Sequence, residues 1–227
     1  MNFLLINSNE NDAFAGMHID DTFDIVKCSE FAEGNQKPRR SPDKLINCLV
    51  KLRGKYDFHA VDAISVTIGP GSFTGIRVGL ALAKGIAGGL NKPLVPINNF
   101  DLLYERIPYN NRNTKYCILI PAKHPEYYYS LIQNSKQEIT GCLNIDEIFE
   151  NIDKKTIIAG DFGNETILKH SYFTYINLIN SDSNEPDAML KLTQKYFAEV
   201  KTEEAENVEP LYLKDFNFKK NTEGTAF

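Results

Sequence analysis

The stretch VTIGPGSFTGIRVGLALAKGIAGGL, residues 66–90, holds seven of the chain's 14 glycines and constrains the fold more than any other segment. VDAISVTI (61–68) reads as a buried strand, Gly-Pro-Gly as a tight turn, and the rest as a helix. Gly75, Gly79, Gly85, Gly88 and Gly89 then fall at helical positions. Each interior glycine costs a helix roughly 1 kcal/mol relative to alanine. Whatever the helix packs against must offset that cost.

From Ser72 or Phe73 onward, Gly75, Gly79, Ala83 and Ala87 recur every four residues. Four residues advance about 400°, so these positions line one face as a stripe almost without side chains. Such a stripe lets a second helix backbone approach closely and gain dispersion contacts. Ile76, Val78, Leu80, Leu82, Ile86 and Leu90 cover the remaining faces. Two environments suit this helix: the chain's own core, or an interface. Arg77 and Lys84 lie on roughly the same side and favour a partly exposed helix that docks on a partner. On that expectation Gly79→Leu or Ala83→Leu keeps the fold and abolishes association.

Around this unit the apolar runs alternate between strand and helix periods. Phe3–Ile6, Ala13–Ile19 and Thr22–Val26 suggest a three-stranded meander, followed by the amphipathic helix SPDKLINCLVKL with Ser41 as cap and Pro42 at its first position. LVPI (94–97) is a strand and FDLLYERI a short helix. After a joint near 106–114 the plan restarts: YCILIPA, YYYSLIQ and KQEITG as strands, IDEIFENI as a helix, TIIAGD and FTYINLI as strands, and DAMLKLTQKYFAEV as a helix. Strand-strand-strand-helix-strand-helix written twice implies a two-lobed α/β architecture with mixed sheets. The lobes are expected at 1–107 and 108–216, with 217–227 a mobile tail.

Catalytic signatures are missing. The four histidines show no HxxxH or HExxH spacing, no GxSxG elbow occurs, and GPGSFTG is neither a Walker A loop nor GxGxxG. Gly69, Gly71, Ser72 and Thr74 are open to two readings: an anion cradle built from backbone N–H groups, or a sharp turn with a helix cap. The net charge of −5 is the wrong sign for a chain that grips nucleic acid alone over a broad surface. The clusters Lys37/Arg39/Arg40 and Lys219/Lys220 are too small to reverse it. Cys28, Cys48, Cys117 and Cys142 form no CxxC pair and read as reduced thiols. MNFLLINSNEND lacks the basic leader of a signal peptide, and Arg77 and Lys84 interrupt 66–90 as a membrane span. The expected compartment is the cytoplasm.

IGPGSFTGIRVGLALAKGIAGGLNKPLVPINNFDLL resembles the signature segment of the TsaB (YeaZ) family, with VEPLYLKD near the C-terminus as weaker support. The resemblance implies an actin, sugar-kinase and Hsp70-like (ASKHA) fold, degenerate in catalysis. It implies a TsaD-like catalytic partner, a TsaE-like ATPase joining the assembly, and transfer of threonylcarbamoyl to N6 of an adenosine in tRNAs reading codons that begin with A. Gly75, Arg77, Gly79, Ala83 and Ala87 would form the partner interface, where the chain meets TsaD or a second copy of itself. No metal or cofactor of its own is implied; any ATP would be bound by partners, and tRNA would be met only through the complex. Three positions depart from the family pattern: Asn7 where an aspartate is usual, Ser41-Pro42 for His-Ser, and Pro121-Ala122-Lys123 for Asp-Ala-Arg. Each loses a polar functional group, which suits a non-catalytic scaffold. The alternatives are a phosphotransferase or metallopeptidase-like enzyme of the same fold, and a homodimeric regulatory protein.

Overall fold

The structure, a computed structural model, describes residues 1–9, 13–31, 42–108, 113–134, 136–160, 171–178, 185–199 and 203–213. The Ser41 cap, the Lys37/Arg39/Arg40 and Lys219/Lys220 clusters, the centre of the expected joint at 109–112 and the 217–227 tail lie outside them.

The first sheet is built from β1 (Phe3–Asn7), β2 (Phe14–Ile19), β3 (Thr22–Lys27), β4 (Ala63–Gly69) and β5 (Leu94–Asn98), in the order β3-β2-β1-β4-β5. Its centre is β1, FLLIN, buried at all five positions and paired antiparallel with β2 and parallel with β4. Because alternate side chains point to opposite faces, a strand buried throughout must be covered on both. Leu4 and Ile6 pack under α1 (Pro42–Arg53) and α2 (Phe73–Leu90), with Leu45, Cys48, Leu49, Leu80, Ala83 and Ala87. Phe3 and Leu5 face the other way, toward Leu102 of α3 (Asn99–Glu105) and Met189 and Leu192 of α5 (Glu185–Ala198).

The second sheet repeats the plan. β6 (Tyr116–Pro121), β7 (Glu126–Gln133), β8 (Lys136–Asn144), β9 (Ile157–Gly160) and β10 (Thr174–Asn177) run in the order β10-β9-β6-β7-β8, with β6 central, antiparallel to β7 and parallel to β9. The strand order and pairing senses of the first sheet recur one for one, so the duplicated two-lobed α/β plan legible in the sequence is the observed fold. α4 (Ile145–Glu150) covers one face through Ile148 and Phe149. Phe100 and Leu103 of α3 pack with Tyr116, Ile118 and Ala159 on the other, so α3 serves both lobes.

α4 has only six residues and depends on its start. The Asn144 side chain accepts from Asp146 N (3.3 Å), and Glu147 Oε2 accepts from Asn144 N (3.2 Å), a reciprocal capping box. Asn144→Ala is expected to lower unfolding stability by about 1 kcal/mol in a urea titration.

One boundary differs from expectation. Residues 185–198, assigned from sequence to the second lobe at 108–216, lie on the first sheet, and the chain beyond stays there. Leu94 and Glu203 exchange two backbone hydrogen bonds of 2.9 Å, and Leu211 N donates to Ile68 O at 2.8 Å. The physical reason is the second face of β1 and β5, which needs an apolar cover; Ala188, Met189 and Leu192 supply it from helical spacing. Periodicity reveals that α5 is amphipathic but not which sheet it covers.

Candidate functional site

β4 delivers the chain into α2 through Gly69-Pro70-Gly71-Ser72. Gly69 has φ +101°, a left-handed value that favours glycine, and a Cβ there would lie 2.7 Å from Ile76 Cδ1. Ser72 is the N-cap of α2, its Oγ accepting from Gly75 N at 3.5 Å, while Thr74 sits exposed on the first turn.

The small-residue stripe is filled by the chain itself. A Cβ on Gly75 would come within 2.7 Å of the Ser8 carbonyl oxygen, and one on Gly79 within 2.5 Å of Ser8 Oγ and 2.7 Å of Ser8 Cβ. Ala83 and Ala87 are 0% and 1% exposed in the core under β1 and β4. The close approach inferred from the spacing is therefore made by the end of β1. This corrects the expectation that Gly79, Ala83 and Ala87 lie open to a partner helix. Periodicity fixes which residues share a face but not what lies opposite.

The outer side of α2 is different in kind. Phe73, Thr74, Arg77, Ala81, Gly85, Gly88 and Gly89 are exposed, and nothing within 4 Å would meet a Cβ on Gly85, Gly88 or Gly89. Beside it, α1 shows Ile46 (40% exposed) and Val50 (64%) one turn apart. Among the expected interface residues Arg77 belongs to this side. Its guanidinium lies 3.6 Å from the Phe73 ring centroid, and its Nε donates to the Tyr212 hydroxyl at 2.8 Å. Lys84 Nζ donates to Glu206 O at 3.3 Å. The segment 203–213 thus settles both charges along the flank of α2, a role its sequence did not signal.

Where the lobes meet, a polar network closes a cleft of about 90 Å³ lined by Asn9, Pro70, Ser72, Asn99, Arg106 and Glu185, among others. Asn7 and Asn9 donate through Nδ2 to Glu185 Oε1 at 2.7 and 3.0 Å. Asn99 Nδ2 donates to Asn9 Oδ1 (2.7 Å) and Pro70 O (2.9 Å). Arg106, 8% exposed, donates to Leu178 O (2.8 Å) and lies 3.5 Å from Glu185 Oε2. Sequence reasoning singled out Asn7 but missed Asn9, Asn99, Arg106 and Glu185, because the partners lie up to 178 residues apart. The network also gives Asn7 a reason. An aspartate there would set two carboxylates in contact and remove the amide donor. Asn7→Asp is expected to cost about 2 kcal/mol at neutral pH, with the loss shrinking as the pH falls and the pair takes up a proton; thermal melts across pH 3–7 check it.

The cleft, at about 90 Å³, is small beside the several hundred Å³ of typical small-molecule pockets. A wider groove of about 730 Å³ lies at the far end of α2, lined by Lys84, Gly88, Asn91, Lys92, Glu204 and Glu206 among others, with no nucleophile–base pair. Among the described residues no three His, Cys, Asp or Glu side chains gather where they could hold a metal ion. α2 is long and apolar enough to cross a membrane by length and composition, yet Leu80, Ala83 and Ala87 are spent on its own sheet.

Two duplicated mixed sheets joined over a cleft, with α2 running off the β4 turn, place the chain among two-lobed ASKHA-like α/β proteins. YeaZ from Pseudomonas aeruginosa has this fold at TM-score 0.70, with 17% identity over 93% of this chain and 99% of that one. The family described as "TsaD: tRNA N6-adenosine threonylcarbamoyltransferase" matches residues 44–172. The tRNA threonylcarbamoyladenosine biosynthesis protein TsaB of Haemophilus influenzae is 30% identical over 167 residues, covering 68% of this chain and 71% of that protein. TsaB of Escherichia coli is 27% identical over the same shares. The tRNA N6-adenosine threonylcarbamoyltransferase of Thermosipho melanesiensis is 34% identical, but over only 34% of its own length. The chain belongs to the TsaB (YeaZ) family.

Proposed function

We propose that this chain is a non-catalytic scaffold subunit of the tRNA N6-threonylcarbamoyladenosine modification complex, and that it docks on a TsaD-type catalytic partner. The pathway rests on the family; the docking mode rests on the outer face of α1 and α2. Ile46, Val50, Ala81, Gly85 and Gly88 leave two adjacent helices with apolar or minimal side chains toward solvent. A helix that carries glycine where it meets nothing gains stability only from a partner that needs the backbone close. Arg77 sits at one end of this face and provides its charged rim.

In this reading catalysis and most tRNA contact belong to the partners, which suits the net charge of −5. A TsaE-like ATPase joins the assembly, and a homodimer using the same face forms when the partner is absent. The site of action is the cytoplasm. Mixing the purified chain with a TsaD-type subunit from the same organism is expected to give a co-eluting complex on gel filtration that modifies tRNA when the remaining components are added, whereas the chain alone modifies none.

The enzyme reading makes the opposite prediction for ATP. Asn7 stands where a phosphotransferase of this fold wants a carboxylate, and its amide is already committed to Glu185. Titration of the isolated chain with ATP and Mg²⁺ is expected to show no micromolar binding by calorimetry; a saturable micromolar isotherm would revive the kinase.

A further inference from the structure

The fold brings together two cysteines that the sequence keeps apart. Cys28 opens a 3-10 turn, Cys28–Phe31, directly after β3, and Cys48 lies on the inner face of α1. Their sulfurs are 3.6 Å apart across a sequence separation of 20. Both anchors are firm. Cys28 N donates to Ala13 O at 2.8 Å, tying its backbone to the start of β2, and Cys48 is 0% exposed between Leu45, Leu49 and Leu52 in the first-lobe core. Cys28 is half-buried, whereas Cys48 is fully buried. A half-buried cysteine with its sulfur against that of a fully buried one is the arrangement of an attacking and a resolving thiol.

The geometry points to Cys28 and Cys48 as a reversible dithiol site that takes a small disulfide as its oxidant and closes to an intramolecular disulfide between β3 and α1. In the first step the Cys28 thiolate attacks one sulfur of RS–SR, forming Cys28–S–S–R and releasing RS⁻. In the second the Cys48 thiolate attacks the Cys28 sulfur, breaking the bond to R and releasing a second RS⁻. The two thiol protons end on the two released thiolates, so two protein thiols are oxidised and one small disulfide is reduced to two thiols. Closure brings the sulfurs from contact to a bond of about 2.0 Å.

The order of the steps follows from the surroundings. Cys48 holds its proton far above the ordinary thiol range, first because of its hydrogen bond with Cys28, then because of burial, then because of the Cys28 charge. Cys28 therefore reacts first. Once its sulfur carries R, both contributions from Cys28 vanish, leaving burial and the more distant Glu30 charge to resist ionisation of Cys48 against the backbone hydrogen bond from Ala15 that favours it. Cys117 is an internal contrast: it is fully buried, burial alone pushes its thiol up to about 12, and it lies in the second-lobe core, away from this pair. The site stands independently of the docking proposal.

The test uses the reduced full-length chain, exposed to glutathione disulfide at pH 8, quenched by alkylation and mapped by mass spectrometry. The expected result is a Cys28–Cys48 linked peptide in the wild type, with Cys117 alkylated only after unfolding. Cys48→Ala is expected to stop at a persistent glutathione adduct on Cys28. A wild-type chain that keeps both thiols alkylatable, or that retains glutathione on Cys28 without forming the linked peptide, overturns the proposal. The wild-type map decides alone if Cys48→Ala fails to fold.

Discussion

Gly79→Leu is expected to unfold the first lobe, lowering stability by about 3–5 kcal/mol, although the same substitution on an exposed helix face would do no harm. A Cβ at this position already lies 2.5 Å from Ser8 Oγ and 2.7 Å from Ser8 Cβ, and the rest of a leucine has to displace the end of β1, the central strand. Neither element can yield cheaply. β1 is paired on both sides, and α2 is fixed at its other turns by Ile76, Leu80, Ala83 and Ala87. Chemical denaturation of the isolated chain checks the loss. A pair of milder variants tests the contact itself: Ser8→Gly is expected to recover most of what Gly79→Ala loses, because it removes the atoms that the new methyl meets. Gly85→Ala and Gly88→Ala, where a Cβ meets nothing, should each raise helix stability by up to about 1 kcal/mol.

Gly85→Leu is the second large effect, and it acts on association rather than folding. The position is open in the isolated chain, so leucine is accommodated and the melting temperature holds or rises. A partner that packs against the bare backbone there meets four new carbon atoms. Overpacking of 1–3 kcal/mol translates into a loss of affinity of roughly 5- to 150-fold for a TsaD-type subunit. Val50→Asp, on the neighbouring helix and 64% exposed, is expected to weaken association in the same direction by placing a charge in the desolvated contact. Both readouts come from calorimetric titration, with a parallel melt to show that the fold is intact.

The contrast between Gly79 and Gly85 also marks how far the sequence could be read. The period-2 and period-3.6 runs, the turn at Gly69-Pro70-Gly71 and the restart after residue 115 carry local information, and local information suffices for the element order and the duplicated α/β plan. The glycine face was equally legible: spacing alone shows that Gly75, Gly79, Ala83 and Ala87 share a side. What that side touches is a tertiary fact. Ser8 is separated from Gly79 by a whole crossover, and no composition or period links them. The same holds for Glu185, which reaches Asn7 and Asn9 from the far end of the chain, and for the Tyr212 and Glu206 contacts that settle Arg77 and Lys84. Cys28 and Cys48 belong to this group too, since only the packing of α1 on the β2–β3 hairpin brings their sulfurs into contact. Charged and polar partners brought together by the fold are where sequence patterning stops, because their energies depend on a distance that chain position does not encode.

The proposed docking of a TsaD-type subunit is on the outer, not the inner, face of α2. Its most direct test is a side-by-side titration of that subunit with the wild-type chain and with Gly85→Leu, each shown by its melt to be folded. A saturable isotherm is expected for the wild type and a Kd raised at least about 5-fold for Gly85→Leu at unchanged or higher melting temperature. A folded Gly85→Leu chain that binds as tightly as the wild type, or a wild type that does not bind at all, would contradict it.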